Sequence, residues 1–360
     1  MISVSIVAVT SYTGLELVRL LAQHPVFYVS SVSARSAVGK QLGEVFPQLH
    51  AIGGANTVRR VDPALLVTEE PEQTDVAFVC LPHAAAAESV LKLLTRGIKV
   101  VDLSADFRLR NVSVYEEWYK HVHPAPWLLE TAVYGLCERY RERIGSAALI
   151  ANPGCHVTAS ILALIPAFAH GVIEPQVIID SKSGVSGAGR SLSLTTHYAE
   201  VNEDVSAYSL TGHRHLPEIV QELEAAARDG GHPVDDALRI TFVPHLIPMT
   251  RGILATCYAD LKPDVHGRVP TAEEMYKLYE QYYANEPFVH VVNQAPHTKW
   301  TYGSNHCFVY PIVDARTHRL VVVSCLDNLV KGAAGQAVQN ANRLCGLPET
   351  TGLSSVAVYP

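Results

Sequence analysis

The seven cysteines, at positions 80, 137, 155, 257, 307, 325 and 345, contain no CxxC pair, and their number is odd. That argues against a disulfide framework and suits free thiols in a reducing compartment, so a cytoplasmic location is expected. There is no basic run and no aromatic stripe between basic residues, and the formal net charge is −7. Non-specific nucleic-acid binding is therefore not expected. No apolar run reaches the length of a membrane span: the longest, residues 159–169, is about half of one and contains Pro166. Met1-Ile2-Ser3-Val4 opens without a positive segment or a small-residue cleavage site, so no secretory signal is expected. Repeats and low-complexity segments are absent too. What is present, 48% hydrophobic and 18% charged residues over 360 positions, is a globular composition with core enough for two domains.

One further absence falls in a revealing place. Residues 2–9 form an apolar run interrupted only by small serines, as in a strand buried on both faces of a parallel sheet. Thr13 with Glu16 three residues on reads as a capping box, and Leu15, Val18, Leu21 and Ala22 give the helix that follows one apolar face. Strands at 27–33, 75–81 and 98–103, with a helix at 84–95, continue the alternation. This predicts a doubly wound, Rossmann-like α/β domain. Its first turn, Thr10-Ser11-Tyr12-Thr13-Gly14, is where a phosphate would meet a helix N-terminus. Yet of the usual GxGxxG only Gly14 stands, and an ordinary strand-to-helix turn is an equal reading. At the end of the second strand an acid for a ribose hydroxyl is missing. Ser33, Arg35 and Ser36, with Lys40, instead suit a 2′-phosphate and favour NADP, although Arg35 reads equally well as a solvated surface residue.

The second half carries other chemistry. In Asn152-Pro153-Gly154-Cys155-His156-Val157-Thr158 a thiol sits where a strand hands over to a helix, expected from Thr158 to about Phe168. Helix-start N–H groups and the dipole favour thiolate over thiol, and Pro-Gly presents the side chain. A buried structural cysteine is the general alternative. Residues 180–190, Gly- and Ser-rich, read either as an anion nest flanked by Lys182 and Arg190 or as a flexible loop. His213-Arg214-His215 precedes Leu216-Pro217-Glu218. Without a third ligand at matching spacing no metal is expected there. One imidazole suits general acid/base work with Arg214 gripping an anion, and the other can cap the helix. His121 and His123 read as surface or packing residues, His245 as structural, and Arg251 as a substrate contact or a salt-bridge partner. A cysteine nucleophile beside a nucleotide fold suggests acyl transfer to sulfur, hydride reduction of the thioester, a histidine proton and arginines on a leaving phosphate.

Taken together, the motifs resemble the N-acetyl-γ-glutamyl-phosphate reductase family, arginine-pathway relatives of aspartate-semialdehyde dehydrogenase. The matching runs are residues 11–17, Leu81-Pro82-His83, residues 102–108, Tyr134-Gly135-Leu136, Asn152 to Cys155, Ser183 to Arg190, His213 to Ile219, Pro244 to Met249 and Asp327 to Ala333, in the family's order. The resemblance implies NADPH-dependent reduction of N-acetyl-glutamyl 5-phosphate, a small-molecule acyl phosphate, to the semialdehyde and phosphate. Cys155 would carry the acyl group, with His215 ahead of His213 as acid/base. Cofactor contacts are expected from Thr10, Ser11, Tyr12, Thr13, Gly14, Ser33, Arg35, Ser36, Pro82, Ser186, Gly187, Ala188 and Asn328. Substrate contacts are expected among Arg108, Asn152, Ser183, Arg190, Arg214 and Arg251. A homodimer or homotetramer is expected. Three segments follow: an NADP-binding domain at 1–150, an α+β catalytic and dimerisation domain at 151–327, and a helix (328–344) and tail at 328–360 returning to the first. Cys155 is then expected at the domain junction, facing the cofactor.

The sequence departs from the family pattern in three places. Ala8 and Ser11 replace glycines, His156-Val157 replaces Tyr-Pro after the cysteine, and Cys137 stands where proline is common. Two other readings stay open: a relative acting on aspartyl phosphate or a carrier-bound aminoadipyl phosphate, and an NADP-binding regulatory protein without chemistry.

Overall fold

The computed structural model describes residues 1–51, 60–234 and 237–359. They form two units, 1–153 with 333–355 and 154–332 with 356–360. The tail is thus divided: 333–355 belongs to the first unit, whereas 328–332 and 356–360 belong to the second.

The first unit is built on seven strands: β1 (Ile2–Val7), β2 (Phe27–Ser33), β3 (Val67–Thr68), β4 (Val76–Val79), β5 (Lys99–Asp102), β6 (Val133–Tyr134) and β7 (Leu149–Ala151). Their order is β3-β2-β1-β4-β5-β7-β6, and every pairing is parallel. The order reverses between β1 and β4, the switch point beside which ligands of such sheets bind. Val4, Ile6, Phe78, Val100 and Val101 are fully buried, as the unbroken apolar runs require. The helix Gly335–Leu344 closes this unit through buried amides. Asn340 donates to Gly135 O (2.8 Å) and Asn152 Oδ1 (3.0 Å), and accepts from Cys137 Sγ (3.1 Å). Cys137, which stands where proline is common, is therefore a buried donor to this helix. The expected single helix 328–344 is interrupted. Val330–Ala334 is a π-helical turn, and regular helix begins only at Gly335.

The first turn corrects one expectation. The N-cap of helix Tyr12–Leu21 is Ser11, not Thr13: its Oγ accepts from Gly14 N at 2.9 Å. Glu16 turns to Arg19 at 2.7 Å instead of closing a capping box. The helix starts two residues early because Ala8 takes a left-handed φ of 61° and reverses the chain at once. Gly14 is required where it stands, since a Cβ there would lie 2.6 Å from Val9 O. Opposite effects are expected at the two positions. Ala8→Gly should stabilise the unit by up to about 1 kcal/mol, relieving a left-handed alanine. Gly14→Ala should destabilise it by about 3 kcal/mol or more, because backbone must move. Urea unfolding of the two variants measures both signs.

The second unit is a mixed seven-stranded sheet of β8 (Ile173–Gly184), β9 (Ser206–Ala207), β10 (Arg239–Ile247), β11 (Ile253–Leu261), β12 (Val289–Val291), β13 (Cys307–Asp314) and β14 (Arg319–Leu326), ordered β12-β13-β14-β11-β8-β10-β9. β11 alternates buried and part-exposed positions, the mark of a sheet with one covered face. Helix Cys155–Ala169 packs on it, flanked by helices Leu216–Asp229 and Ala272–Tyr282. Tyr279 and Tyr283 donate to the carbonyls of Ala163 and Leu162 at 2.7 and 2.6 Å, locking that helix. It is apolar nearly all round, which is why it lies buried.

Candidate active site

The helix begins at Cys155 itself, three residues before the expected Thr158, with extended Gly154 (φ −71°, ψ 148°) as N-cap. Glycine has no side chain to occupy the first-turn N–H groups, so Cys155 sits at the positive end of the dipole without a competing cap. Cys155 is partly exposed, whereas Cys80, Cys137, Cys257, Cys307 and Cys325 are buried. Burial pushes the Cys80 and Cys325 thiols up to about 12, and that of Cys345 up to about 11. Two fixed groups hold the turn. Gly154 N donates to the buried Glu218 at 3.1 Å, and Gly332 backs the cysteine so closely that a Cβ there would lie 2.8 Å from Cys155 Cβ.

The histidine pair stands at the N-terminus of helix Leu216–Asp229, with His215 its N-cap. His213 Nδ1 accepts from His215 N at 3.1 Å, and the two rings meet at 4.7 Å. Burial, then the Arg214 charge, push His213 down to about 4. It is neutral near pH 7, and one of its nitrogens is spent on the turn. His156, one of the departures from the family pattern, is only 3% exposed and lies in the middle of this group. Its ring contacts those of His213 (6.0 Å), His215 (5.9 Å) and Phe242 (5.7 Å). Its Nδ1 is 2.7 Å from Ser181 Oγ and its Nε2 is 3.1 Å from Tyr208 Oη. Tyr208, 52 positions away, escaped the sequence reading, and Ser181 was visible only as part of the run 180–190. Glu218 was visible only as part of a motif.

The anion nest is not formed. The N–H groups of Gly184, Val185 and Ser186 donate to the carbonyls of Gly252, Met249 and Thr250 at 2.9, 2.9 and 3.0 Å. Lys182 pairs with Asp180, which also meets His245 at 3.1 Å. Arg190 lies exposed in the loop beyond. Ser183 is buried and donates to Gly184 O, and Gly187 and Ala188 belong to a short 3₁₀ turn. Asn328 holds this loop: its Nδ2 donates to Ser186 Oγ at 3.0 Å and its Oδ1 accepts from Gly252 N at 2.7 Å. Arg251 proves to be a salt-bridge partner. It meets buried Asp327 through Nη2 (3.0 Å) and Nε (2.8 Å).

In the first unit Arg108 is buried and donates to Asn152 O (2.7 Å) and Leu103 O (2.8 Å), tying two strand ends together. Asn152 donates its Nδ2 to Ala333 O, and its Oδ1 accepts from Asn340 Nδ2. The nearby Asp102 is wholly buried, which pushes its carboxyl up to about 7 against the hydrogen bonds from Ser104. At the nucleotide turn, Thr10 Oγ1 lies 3.3 Å from Ser36 Oγ, which brings the end of β2 against the turn that follows β1. Ser33 is buried, Arg35 opens a short exposed turn and Pro82 is exposed after β4. A helix N-terminus beside the switch point, with hydroxyls and a guanidinium at the next strand end, fits a dinucleotide. His123 is packed, its Nε2 2.8 Å from Asp106 O, while His121 is exposed. Among the described residues no cluster of three or more His, Cys, Asp or Glu could hold a metal ion, and no helix is long and apolar enough to cross a membrane.

Acid should loosen the second unit. Burial pushes His156 down to about 3 and His306 down to about 4, alongside His213. In the unfolded chain each regains a pKa near 6.5, so the unfolded state binds more protons below that value. The stability these residues supply is complete above pH 6.5. It is lost as pH falls toward 4, at up to about 1.4 kcal/mol per unit for each histidine. Near-ultraviolet circular dichroism between pH 7 and 4 follows this loss.

The semialdehyde dehydrogenase NAD binding domain matches residues 3–147, and the semialdehyde dehydrogenase dimerisation domain matches residues 155–328. An N-acetyl-gamma-glutamyl-phosphate reductase of Dehalococcoides mccartyi (strain CBDB1) is 52% identical over 356 residues, covering 99% of this chain and 98% of the relative. The chain belongs to the N-acetyl-γ-glutamyl-phosphate reductase family. A second reductase of that name, from Heliobacterium modesticaldum, is 50% identical over the full length of both chains. Among solved structures, aspartate semialdehyde dehydrogenase II of Vibrio cholerae superposes with a TM-score of 0.68 at 18% identity, over 96% of this chain and 99% of its own. The Candida albicans enzyme, solved with NADP, gives 0.65 at 16%, over 96% and 98%. At such identities the likeness shows the fold. A reductase of this family thus has the two-domain semialdehyde dehydrogenase architecture, with a nucleotide-binding sheet and a dimerisation sheet.

Proposed function

We propose that the protein reduces N-acetyl-γ-glutamyl phosphate to N-acetyl-glutamate semialdehyde, releasing phosphate, as a step of arginine biosynthesis. The observation that carries this reading is a part-exposed Cys155 at an uncapped helix start, beside a histidine turn, in a chain half identical end to end to reductases of that name. The Cys155 thiolate attacks the acyl carbon, the carbon–oxygen bond to phosphate breaks, and a thioester forms. Bound NADPH supplies the hydride. His215 is the acid/base: it protonates the oxygen that hydride addition leaves anionic and takes that proton back as the carbon–sulfur bond breaks. Its neighbour His213 is kept neutral and tied to the turn, which leaves His215 for that work.

NADP is preferred because Ser33, Arg35 and Ser36 offer hydroxyls and a cation, and no acid, to the 2′ position. Thr10, Ser11, Tyr12, Thr13 and Gly14 hold the pyrophosphate, with Pro82 beside them. Ser186, Gly187 and Ala188, ordered by Asn328, contribute the second cofactor-facing loop. The substrate's anionic groups fall to Asn152, Ser183, Arg190 and Arg214. Arg108 and Arg251 act by holding strand ends and the Asp327 turn. The protein works as a homodimer or homotetramer in the cytoplasm. The test is phosphate-dependent reduction of NADP in the reverse direction. N-acetyl-glutamate semialdehyde should be the best substrate, and a preference for aspartate semialdehyde or an aminoadipate semialdehyde would overturn the assignment.

A further inference from the structure

We infer that Glu218 is a positioning residue: its carboxylate ties the start of the Cys155 helix to the start of the His215 helix and so sets the separation of nucleophile and acid/base. The inference rests on the roles proposed above for Cys155 and His215. The two helices, Cys155–Ala169 and Leu216–Asp229, pack against one another. Glu218 lies in the first turn of the second, three residues after its N-cap His215, and is 1% exposed. Its Oε1 accepts from Gly154 N at 3.1 Å, the N-cap N–H of the first. The residue before the nucleophile is thereby bonded to the first turn of the helix that His215 caps. On the other side of the cysteine, the ring of His156 lies 5.9 Å from that of His215. Contacts to the His215 turn thus flank Cys155 on both sides.

A glutamate at the third position of a helix ordinarily turns back to the N–H of its own N-cap. That N–H, His215 N, is already taken by His213 Nδ1 at 3.1 Å. Leu216 N, the next donor, is bonded to His213 O at 2.8 Å, and Pro217 has no N–H to offer. His213 therefore closes the turn that Glu218 would otherwise close, and Glu218 reaches across to the neighbouring helix. The other end is equally constrained. Gly154 O accepts from Thr158 N (2.9 Å) and from Thr158 Oγ1 (3.2 Å), so both backbone polar groups of Gly154 are engaged. Gly332 fills the space behind Cys155. On the second helix, His215 O accepts from Ile219 N at 3.0 Å. Each backbone is fixed within its own helix, and the Glu218 bond joins one to the other at their reactive ends. That bond asks only for an acceptor. A negative charge next to the nucleophile opposes thiolate formation, so Glu218 serves by its reach and not by its charge.

The test is the rate of iodoacetamide modification at Cys155 near pH 7, read by peptide mapping, which requires no acyl phosphate. An imidazole held near a thiol favours the thiolate, so the rate follows the spacing. Loss of a nearby negative charge speeds the reaction, whereas loss of the spacing slows it. Glu218→Ala, which loses both, should be slowed about 10-fold, the effect of one unit of thiol pKa. Glu218→Gln, which loses the charge but keeps an acceptor of the same reach, should match or exceed the parent. In a His215→Asn background Glu218→Ala should slow modification little further, because the spacing no longer matters. In turnover Glu218→Ala should lower kcat about 100-fold with KM little changed, as a misplacement of about 1 Å does, and Glu218→Gln should recover most of that loss. Modification of Glu218→Ala as fast as that of Glu218→Gln would overturn the inference, as would additive slowing with His215→Asn. Should Glu218→Ala fail to fold, Glu218→Asp, one methylene short of Gly154 N, takes its place in both comparisons. A protein that meets these expectations and reduces no N-acetyl-γ-glutamyl phosphate would keep this inference and reject the substrate assignment.

Discussion

Cys155→Ser is expected to lower kcat for acyl-phosphate reduction at least about 10⁴-fold while leaving the fold intact. A serine hydroxyl is ionised to a negligible extent near pH 7, and the helix N-terminus that favours a thiolate cannot bring an alkoxide within reach. The substitution is isosteric and the position is partly exposed, so folding should be unaffected. Binding of NADPH should persist as well, because Cys155 lies outside the nucleotide turn. Steady-state kinetics, paired with fluorescence titration of the cofactor, separate lost chemistry from lost structure. A variant that turns over as fast as the parent would mean that the thioester route is wrong.

The second large effect concerns stability. Asp106 is fully buried, and its carboxylate accepts from Ala84 N (2.7 Å), Ala86 N (3.1 Å), Ala87 N (3.0 Å) and Tyr115 Oη (3.0 Å). Three of these donors are backbone groups at the start of helix Ala87–Thr95, whose own N-cap, Ala86, has no side chain to offer. Asp106→Ala takes the acceptor from all four donors, three of them buried, and each buried group left unpaired costs about 1–3 kcal/mol. A loss of about 4 kcal/mol or more is expected, enough to threaten folding of a domain of ordinary stability. Asp106→Asn keeps part of the acceptor set and should lose about half as much. Urea midpoints for the two variants measure the difference.

Asp106 also shows which part of the protein was legible. The run from Asp102 to Arg108 stands out in the sequence, and Arg108 read as a substrate contact. In the structure the same run is scaffolding: Asp106 caps one helix, Asp102 is locked to Ser104, and Arg108 ties β5 to the Asn152 turn. Patterns local to a few residues were readable. The alternation of strands and helices predicts the parallel sheet, and Pro-Gly before Cys155 predicts a presented thiol. Ser11 and Thr13 are both hydroxyls near a helix start, and only the left-handed turn at Ala8 decides between them. The loop at 184–186 looked like an anion nest because its glycines and serines are visible. The carbonyls of 249–252 that consume its N–H groups are some 65 positions away. His156 was unreadable for the same reason. Its neighbours Ser181, Tyr208, His213, His215 and Phe242 come from three separate stretches of chain.

The central claim is that Cys155 carries the acyl group between phosphate and hydride. Rapid quenching of the enzyme with N-acetyl-γ-glutamyl phosphate in the absence of NADPH, followed by intact-mass and peptide analysis, tests it most directly. One N-acetyl-glutamyl group per chain is expected on the peptide containing Cys155, removable by hydroxylamine and absent from Cys155→Ser. Full turnover by an enzyme on which no acyl group accumulates at Cys155, or on which it is found at another residue, would contradict the account.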